Sequence, residues 1–419
     1  MQALAALLEV EEGRPVAEAL AGAERGLSPE DRRLATQIVY AVLRHRRFLD
    51  AFITTRIPRS PKPAVRMVIR IGLCQLWFMD RVPDYAVVSS AVEQARTVDA
   101  RAAGLVNAVL RTAIRTPFEP REPGVRYSLP DWILERWQAR WPGDWETMAA
   151  RLNEPPPMTL RVRKDRATAL ADLASEGVEA VASDWLPDAI TVRSPLRLER
   201  SALFRQGFLY VQDQSAMAVT YAAAEPEQTR IVDLCAGVGG KSFHLADQHP
   251  TAHVTAVDTA AERLARLREN AVRLHLAGRV TPVLGDARAV ASQEHGGIVI
   301  VDAPCTGLGI LRRRPDIRWC RQPRDLARFQ ILQRELLDAA VGTVEPGGIV
   351  VYSVCSTEPE ETTVVVNAIL QAHSELVPED VAQLLPEPWT RFREGHWLLV
   401  PPGIADLDGF FIARLRRTA

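Results

Sequence analysis

From residue 229 onward five short apolar segments, RIVDLCAG, HVTAVD, VTPVLGD, GIVIVDAP and GGIVVYSVC, alternate with stretches of helical periodicity. A strand that is apolar along its whole length has no solvent face, so helices must cover the sheet on both sides. Helical crossovers between successive strands make such a sheet mostly parallel. The pattern therefore predicts a doubly wound α/β domain. In that architecture ligands bind beyond the carboxyl ends of the strands, so the residues just after each strand are where chemistry is to be sought.

The rest of the 419-residue chain has a different texture, and at about 150 residues per domain two or three domains are expected. The first 115 or so residues predict helix after helix. Ser28-Pro29-Glu30-Asp31 supplies a cap, a proline at the first helical position and acid in the first turn, ahead of Leu34, Ile38, Val42, Leu49 and Ile53. A second apolar stripe (Val65, Val68, Ile69, Leu76, Trp77) starts after Pro61 and Pro63, and further helices run from Ser89 to Val98 and from Gly104 to Ile114. Residues 117 to 157 are rich in proline and hold Trp132, Trp137, Trp141 and Trp145, which marks a boundary with some packed helix inside it. Beyond it, MTLRVRK and AITVRSP predict strands around a helix from Arg166 to Ser175, a small α+β module with a basic start (Arg161, Arg163, Lys164, Arg166) for which a solvated face and an RNA-binding surface both stay open. The division expected is 1–127 all-α, 128–215 linker helix and α+β module, and 216–419 α/β.

Composition removes several function classes. No apolar run approaches the roughly 18 residues of a membrane span, and the acidic start of the chain is wrong for a signal peptide, so a cytoplasmic protein is expected. A net charge of −1, from 51 basic and 52 acidic side chains, excludes a polycation that coats nucleic acid by charge alone. The five cysteines, Cys74, Cys235, Cys305, Cys320 and Cys355, are odd in number and scattered, which speaks against a disulfide framework. No paired Cys or His spacing is present, and no metal is expected.

The strand ends carry the chemistry. The first runs into Asp233-Leu234-Cys235-Ala236-Gly237-Val238-Gly239-Gly240-Lys241-Ser242, a glycine-rich turn whose backbone N–H groups can approach a ligand at a helix start. A P-loop would need glycine where Cys235 stands, which argues against a nucleotide triphosphate. The second strand ends in Asp258, 25 residues after Asp233 and placed to accept ribose hydroxyls; the third leads to Asp286, an acceptor for an exocyclic adenine amine. Carboxylates in this series, with no room shown for a diphosphate, point to an adenosyl ligand.

The fourth and fifth strands lead to Asp302-Ala303-Pro304-Cys305 and to Cys355. Most free cysteines are small buried hydrophobes, which is the expectation for Cys74; Cys235 is expected to fill a tight turn, and Cys320 has no identifiable role. A thiol at a strand end beside a polar loop has access to substrate instead. After Cys305, Arg312, Arg313, Arg314, Arg318, Arg321, Arg324 and Arg328 fall within 17 residues, with Trp319 among them. Guanidinium groups bind phosphate in bidentate fashion and stack on bases, so this run is expected to hold RNA over the thiols.

Placed in order, VQDQSAMAV, DLCAGVGGKS, AVD, GDAR, DAPCTGLGILRRRPDIRW, YSVCSTEPEE and DGFFIARLRR resemble the bacterial 16S rRNA cytosine-5 methyltransferases of the RsmB (Fmu or Sun) type. LATQIVYAVLRH, IGLCQLWFM and GLVNAVLR in the helical region resemble the NusB-like domain attached to that group. The resemblance implies a Rossmann-like methyltransferase domain preceded by an all-α NusB-like domain and a small α+β module. It implies S-adenosylmethionine held by Cys235, Ala236, Gly237, Val238, Gly239, Gly240, Lys241, Asp258, Asp286 and Asp302. It further implies Cys355 as nucleophile, Cys305 in product release, and Asp302 in stabilising the intermediate. The sequence departs from the family pattern at Gly237-Val238 (usually Ala-Pro), Val354 (usually Thr) and Thr362-Thr363 (usually Asn-Glu).

The expected partner is RNA, 16S rRNA free or in an assembling small subunit, contacted by Arg312, Arg313, Arg314 and Arg318, with the enzyme a monomer. Alternatives are 5-methylcytosine formation on another RNA such as tRNA, a DNA cytosine-5 methyltransferase using Cys305, and a non-catalytic RNA-binding or antitermination factor. The second thiol at Cys355 and the NusB-like helices speak against the DNA enzyme, and retention of Cys355 and Asp302 against the non-catalytic factor.

Overall fold

The computed structural model of the protein describes residues 1–79, 82–290 and 293–418. They pack as two compact units, Met1–Pro155 with Leu311–Arg321, and Pro156–Ile310 with Gln322–Ala419.

The first unit is helical: α1 (Gln2–Glu11), α2 (Val16–Ala23), α3 (Pro29–Arg56), α4 (Pro63–Phe78), α5 (Asp84–Val98), α6 (Ala103–Arg115), α7 (Pro123–Arg126), α8 (Asp131–Arg140) and α9 (Trp145–Arg151). Ser28 caps α3 by accepting the Asp31 N–H at 3.1 Å, as the sequence predicts. The apolar stripes of α1 to α6 close on one core around Val39, Leu49, Phe52, Val68, Leu73 and Leu110, with Cys74 fully buried in it. Residues 128–155 also pack in this unit. The physical reason is polar. Arg47 of α3 bonds the Leu129 carbonyl at 2.7 Å and Asp131 at 2.6 Å, which ties α8 to α3.

The second unit contains two sheets. Strands β1 (Met158–Val162), β2 (Ala180–Ala182), β3 (Ala189–Val192) and β4 (Leu209–Val211) form an antiparallel sheet in the order β2-β3-β1-β4, crossed by α10 (Arg166–Ser175) and α11 (Ala202–Arg205). After α12 (Gln214–Ala222) the α/β domain follows: β5 (Arg230–Asp233), α13 (Gly240–Gln248), β6 (His253–Asp258), α14 (Ala261–Arg273), β7 (Val280–Leu284), α15 (Ala287–Val290) and β8 (Gly296–Asp302). The chain then contributes α16 (Ile317–Cys320) to the first unit and returns with α17 (Pro323–Thr343), β9 (Val344–Val354), α18 (Thr363–Ala372), β10 (Leu376–Glu379), β11 (Arg393–Glu394), β12 (Trp397–Val400) and β13 (Phe410–Arg417).

Strands β7, β6, β5, β8 and β9 are parallel in that spatial order, and β13 adds antiparallel to β9. The direction of winding reverses between β5 and β8, which is where a ligand crevice opens in a doubly wound sheet. The five apolar segments are these five strands, and Val254, Ile298, Ile300, Ile349 and Val351 are fully buried, as two covered faces require.

The basic start of the α+β module is not a solvated face. Arg161 is 1% exposed and donates to Asp247 of α13 at 2.7 Å; Arg163 takes the same carboxylate in a bidentate pair and also bonds the Gly207 and Leu274 carbonyls. These arginines fasten the module to the α/β domain.

Candidate active site at the strand tips

The tips of β5, β6 and β7 present carboxylates. Asp233, at the end of β5, is buried beneath the glycine-rich turn, where it accepts the Ser242 hydroxyl at 2.6 Å and the Cys235 N–H at 3.3 Å. Burial pushes its pKa up to about 6, against the stabilising effect of the Ser242 bond and the nearby Lys241 charge. Asp258, at the end of β6, is also buried. One of its oxygens accepts the Gly237 N–H at 2.9 Å and lies 3.2 Å from Arg263; the other accepts the Ala260 N–H at 2.8 Å. The two aspartates thus brace the turn from below and from the side.

Gly237 and Gly239 both have positive φ, 58° and 91°. At Gly239 a Cβ would fall 2.5 Å from the Phe243 ring, so the residue is required for packing. At Gly237 a Cβ would meet nothing within 4 Å, so the backbone there lines an open cradle. Val238 at its rim is 38% exposed. Asp286, beyond β7, lies outside the core and is held below the usual carboxylate range by its bond to Arg288, which also pairs with Glu335 at 2.5 Å.

The tips of β8 and β9 present thiols. Their parallel register sets Asp302 opposite Ser353, and the Ser353 hydroxyl donates to Asp302 at 2.8 Å. Lys241, projecting from the first turn of α13, reaches the other Asp302 oxygen at 2.5 Å. Asp302 therefore joins the glycine turn to the thiol half of the sheet edge. Beyond it, the sulfurs of Cys305 and Cys355 stand 3.2 Å apart as free, partly exposed thiols. The bond to Cys355 and then burial raise the pKa of Cys305 well above the ordinary thiol value, and either sulfur can be the donor of the bond between them. The Cys355 carbonyl accepts the Gly309 N–H at 3.0 Å, and at Gly309 a Cβ would lie 2.0 Å from the Gly409 carbonyl oxygen, so the loop after Cys305 can lie this close only as glycine.

Residues 219–416 match the family described as 16S rRNA methyltransferase RsmB/F, residues 1–115 match the NusB family, and residues 129–199 match the ferredoxin-like domain of RsmF/B-like methyltransferases. The chain is similar to the ribosomal RNA small subunit methyltransferase B of Erwinia tasmaniensis, 34% identical over 97% of this chain and 95% of that protein. The chain belongs to the RsmB/F family of 16S rRNA methyltransferases. The protein of the same description from Vibrio cholerae is also 34% identical, over 97% of this chain and 94% of its own length. In fold the chain is similar to the crystal structure of PH0851, with a TM-score of 0.82, 24% identity, and coverage of 99% of this chain and 98% of that one. As a member of the RsmB/F family it is an S-adenosylmethionine-dependent rRNA methyltransferase, with a NusB-like domain and a ferredoxin-like module ahead of a Rossmann-like catalytic domain.

The structure brings Cys235 to Lys241, Asp258, Asp302, Cys305 and Cys355 to one edge of the sheet, with Asp286 beyond its neighbouring strand. It divides the arginine run. Arg318 is 1% exposed and donates to four oxygens of its own unit, the carbonyls of Arg44 (3.0 Å), Ser128 (3.3 Å) and Leu152 (2.6 Å) and the Asn153 side chain (2.8 Å). Burial pulls its pKa down to about 9. Arg312 is 5% exposed and bonds the Glu154 and Pro155 carbonyls, while Trp319 donates to the Leu43 carbonyl at 2.8 Å. Arg312 and Arg318 are therefore struts of the helical unit, which corrects their expected place in an RNA-facing loop. Arg313 is half-buried, and Arg314, also half-buried, pairs with Asp316 at 2.9 Å. Arg324 and Arg328 are exposed on α17.

Sequence reasoning misses Ser353, Gln333 and Glu361. A signal for Ser353 exists, since it precedes Cys355 by two residues and so shares its face of the strand. Glu361 closes the YSVCSTEPEE segment, whereas Gln333 carries no local signal.

Proposed function

We propose that the protein transfers the methyl group of S-adenosylmethionine to carbon 5 of a cytidine in 16S rRNA, through a covalent bond between Cys355 and carbon 6 of the base. The observation that carries this reading is the pair of free thiols 3.2 Å apart, one beyond β8 and one beyond β9, next to Asp302. Carbon 5 of cytosine is too weak a nucleophile to be alkylated directly. A thiolate adding to carbon 6 moves the electron pair of the double bond onto carbon 5 and divides one hard step into easier ones.

The residues at the glycine turn fit the cofactor. The open cradle at Gly237 accommodates close approach of a ligand to the backbone, and a carboxylate has about four lone-pair sites, so Asp258 retains acceptor capacity for ribose hydroxyls beyond the two N–H groups it holds. We assign Cys235 to Lys241, Asp258, Asp286 and Asp302 to that site. S-adenosylmethionine, when bound there, supplies an electrophilic methyl group on a sulfonium. Asp302, bridged to Lys241 and Ser353, is placed at the N3 edge of the base; N3 takes up a proton from solvent as addition places negative charge on the ring, and the carboxylate accepts that N3–H and so stabilises the adduct. When carbon 5 carries both methyl and proton, loss of that proton and cleavage of the carbon–sulfur bond restore the ring double bond and return Cys355; we assign assistance in this release to Cys305.

The target base must leave its stack to reach such a site, which favours a loop or locally opened rRNA. We assign RNA contact to the arginines of the run that are not buried, the half-buried Arg313, Arg314 and Arg321 and the exposed Arg324 and Arg328 of α17. The names of the relatives support the small-subunit rRNA as substrate. Bisulfite sequencing of RNA from cells with and without the protein tests the reading. One 16S cytidine should lose protection when the protein is absent; a lost signal in tRNA would move the substrate, and unchanged RNA throughout would sink the cytosine-5 assignment.

A further inference from the structure

A carboxylate that the thiol chemistry does not use lies buried between the two cysteine loops. Glu361 is fully buried in the helical turn Pro359–Glu361 that follows β9. One oxygen accepts the Thr306 N–H at 2.7 Å and the Gln333 side-chain N–H at 3.1 Å, and the other accepts the Thr306 hydroxyl at 2.5 Å. Gln333, on the inner face of α17, also donates to the Pro304 carbonyl at 2.9 Å. The residues on both sides of Cys305 are thereby held. In the other direction the Glu361 carbonyl accepts the hydroxyl of Tyr352 at 2.7 Å, and Tyr352 is a fully buried residue of β9, three positions before Cys355.

Burying a carboxylate is costly, and apolar packing of similar volume is often as stable or more so. Three donors aimed at two oxygens suit a carboxylate and not an amide, because an amide would turn one N–H toward another donor. The donors come from the loop that carries Cys305 and from the helix behind it, while the backbone of the acceptor is pinned to the strand that carries Cys355. We propose that Glu361 is a positioning residue which fixes the Cys305 loop against the Cys355 loop and so sets the spacing of the two sulfurs for the release step. Its catalytic consequence rests on the thiol roles proposed above; its geometric consequence does not.

The test reads the geometry without the reaction. Diamide takes up two electrons and two protons as two thiols become a disulfide, and at the parent's spacing it should couple Cys305 to Cys355, a product mapped by mass spectrometry of the peptides. A displacement of about 1 Å costs on the order of 100-fold in an oriented reaction, so coupling in the full-length Glu361→Gln and Glu361→Ala variants should slow by about 10- to 100-fold. Thr306→Val, which keeps the N–H and removes the hydroxyl, should fall between them and the parent, and Thr306→Ser should lie near the parent. Where Glu361→Ala does not fold, Glu361→Gln and Thr306→Val decide. With methylation measured alongside, the variants should lower kcat with little change in KM and accumulate protein–RNA adduct on a denaturing gel. Coupling at the parent's rate in folded Glu361→Gln overturns the proposal. Slowed coupling in a protein whose parent forms no cytosine adduct would overturn the reading of the reaction and leave the positioning role standing.

Discussion

The two halves of the sheet edge are built differently. At β5, β6 and β7 the functional groups are carboxylates, and two of them, Asp233 and Asp258, accept backbone N–H groups of the turn they support. That half is held together largely by the main chain. At β8 and β9 the functional groups are thiols, and side chains join their loops in addition to the Gly309 N–H bond to the Cys355 carbonyl: Ser353 to Asp302, Thr306 and Gln333 to Glu361. The difference follows from what each half is proposed to do. A cofactor that enters and leaves intact needs a preformed cradle, whereas bond making and breaking at carbon 6 needs two sulfurs held at a defined spacing. Asp302 belongs to both halves, through Lys241 on one side and Ser353 on the other.

The comparison is broken most easily at the thiols. Cys355→Ala should lose methylation by at least about 10⁴-fold and form no adduct, because the proposed nucleophile is gone. Cys305→Ala should still attack and then stall, giving a shifted protein–RNA band on a denaturing gel. A band from Cys355→Ala with none from Cys305→Ala would reverse the two roles.

On the carboxylate side the largest effect should be on stability. The rise of the Asp233 pKa from 3.8 to about 6 on burial is worth roughly 3 kcal/mol. The folded protein holds that proton more tightly than the unfolded chain, so this contribution stabilises at low pH and is lost as pH rises from about 4 through about 6. Asp233→Asn can still accept from Cys235 and can donate to Ser242. Its melting temperature should exceed that of the parent above pH 6 and converge with it near pH 4; equal melting temperatures at pH 8 would show that the buried charge is fully compensated.

Asp258→Ala should weaken S-adenosylmethionine by about 1 to 3 kcal/mol in calorimetry, since it removes the proposed ribose acceptor and loosens Gly237. Cofactor affinity equal to that of the parent would remove Asp258 from the site. The smallest effect is expected outside both halves. Replacing Arg324 and Arg328 together should lower the slope of log K against log[salt] for RNA by about 1 to 2, roughly one for each phosphate that is no longer neutralised. An unchanged slope would return the outer face of α17 to ordinary solvation. Arg318 does not suit that experiment, because its removal would strand four oxygens inside the helical unit.

The sequence by itself determined the alternation of β5 to β9 with helices, the cap at Ser28, and the placing of Asp233, Asp258, Asp302 and Cys355 at strand ends. Each of these is a short-range property, set by side-chain period and turn chemistry over a few residues. Tertiary structure alone decided the rest. A run of arginines carries the same local signal whether it meets water or carbonyl groups, and only packing turned Arg318 toward the Arg44 carbonyl, 274 positions away in the chain, while leaving Arg328 exposed. It likewise gathered Arg161 and Arg163 onto Asp247, where composition left a solvated face and an RNA-binding surface both open. The sulfur spacing and the Glu361 clamp join residues 50 and 55 positions apart, and no local pattern encodes such a pairing, because it exists only once β8 and β9 lie side by side in register.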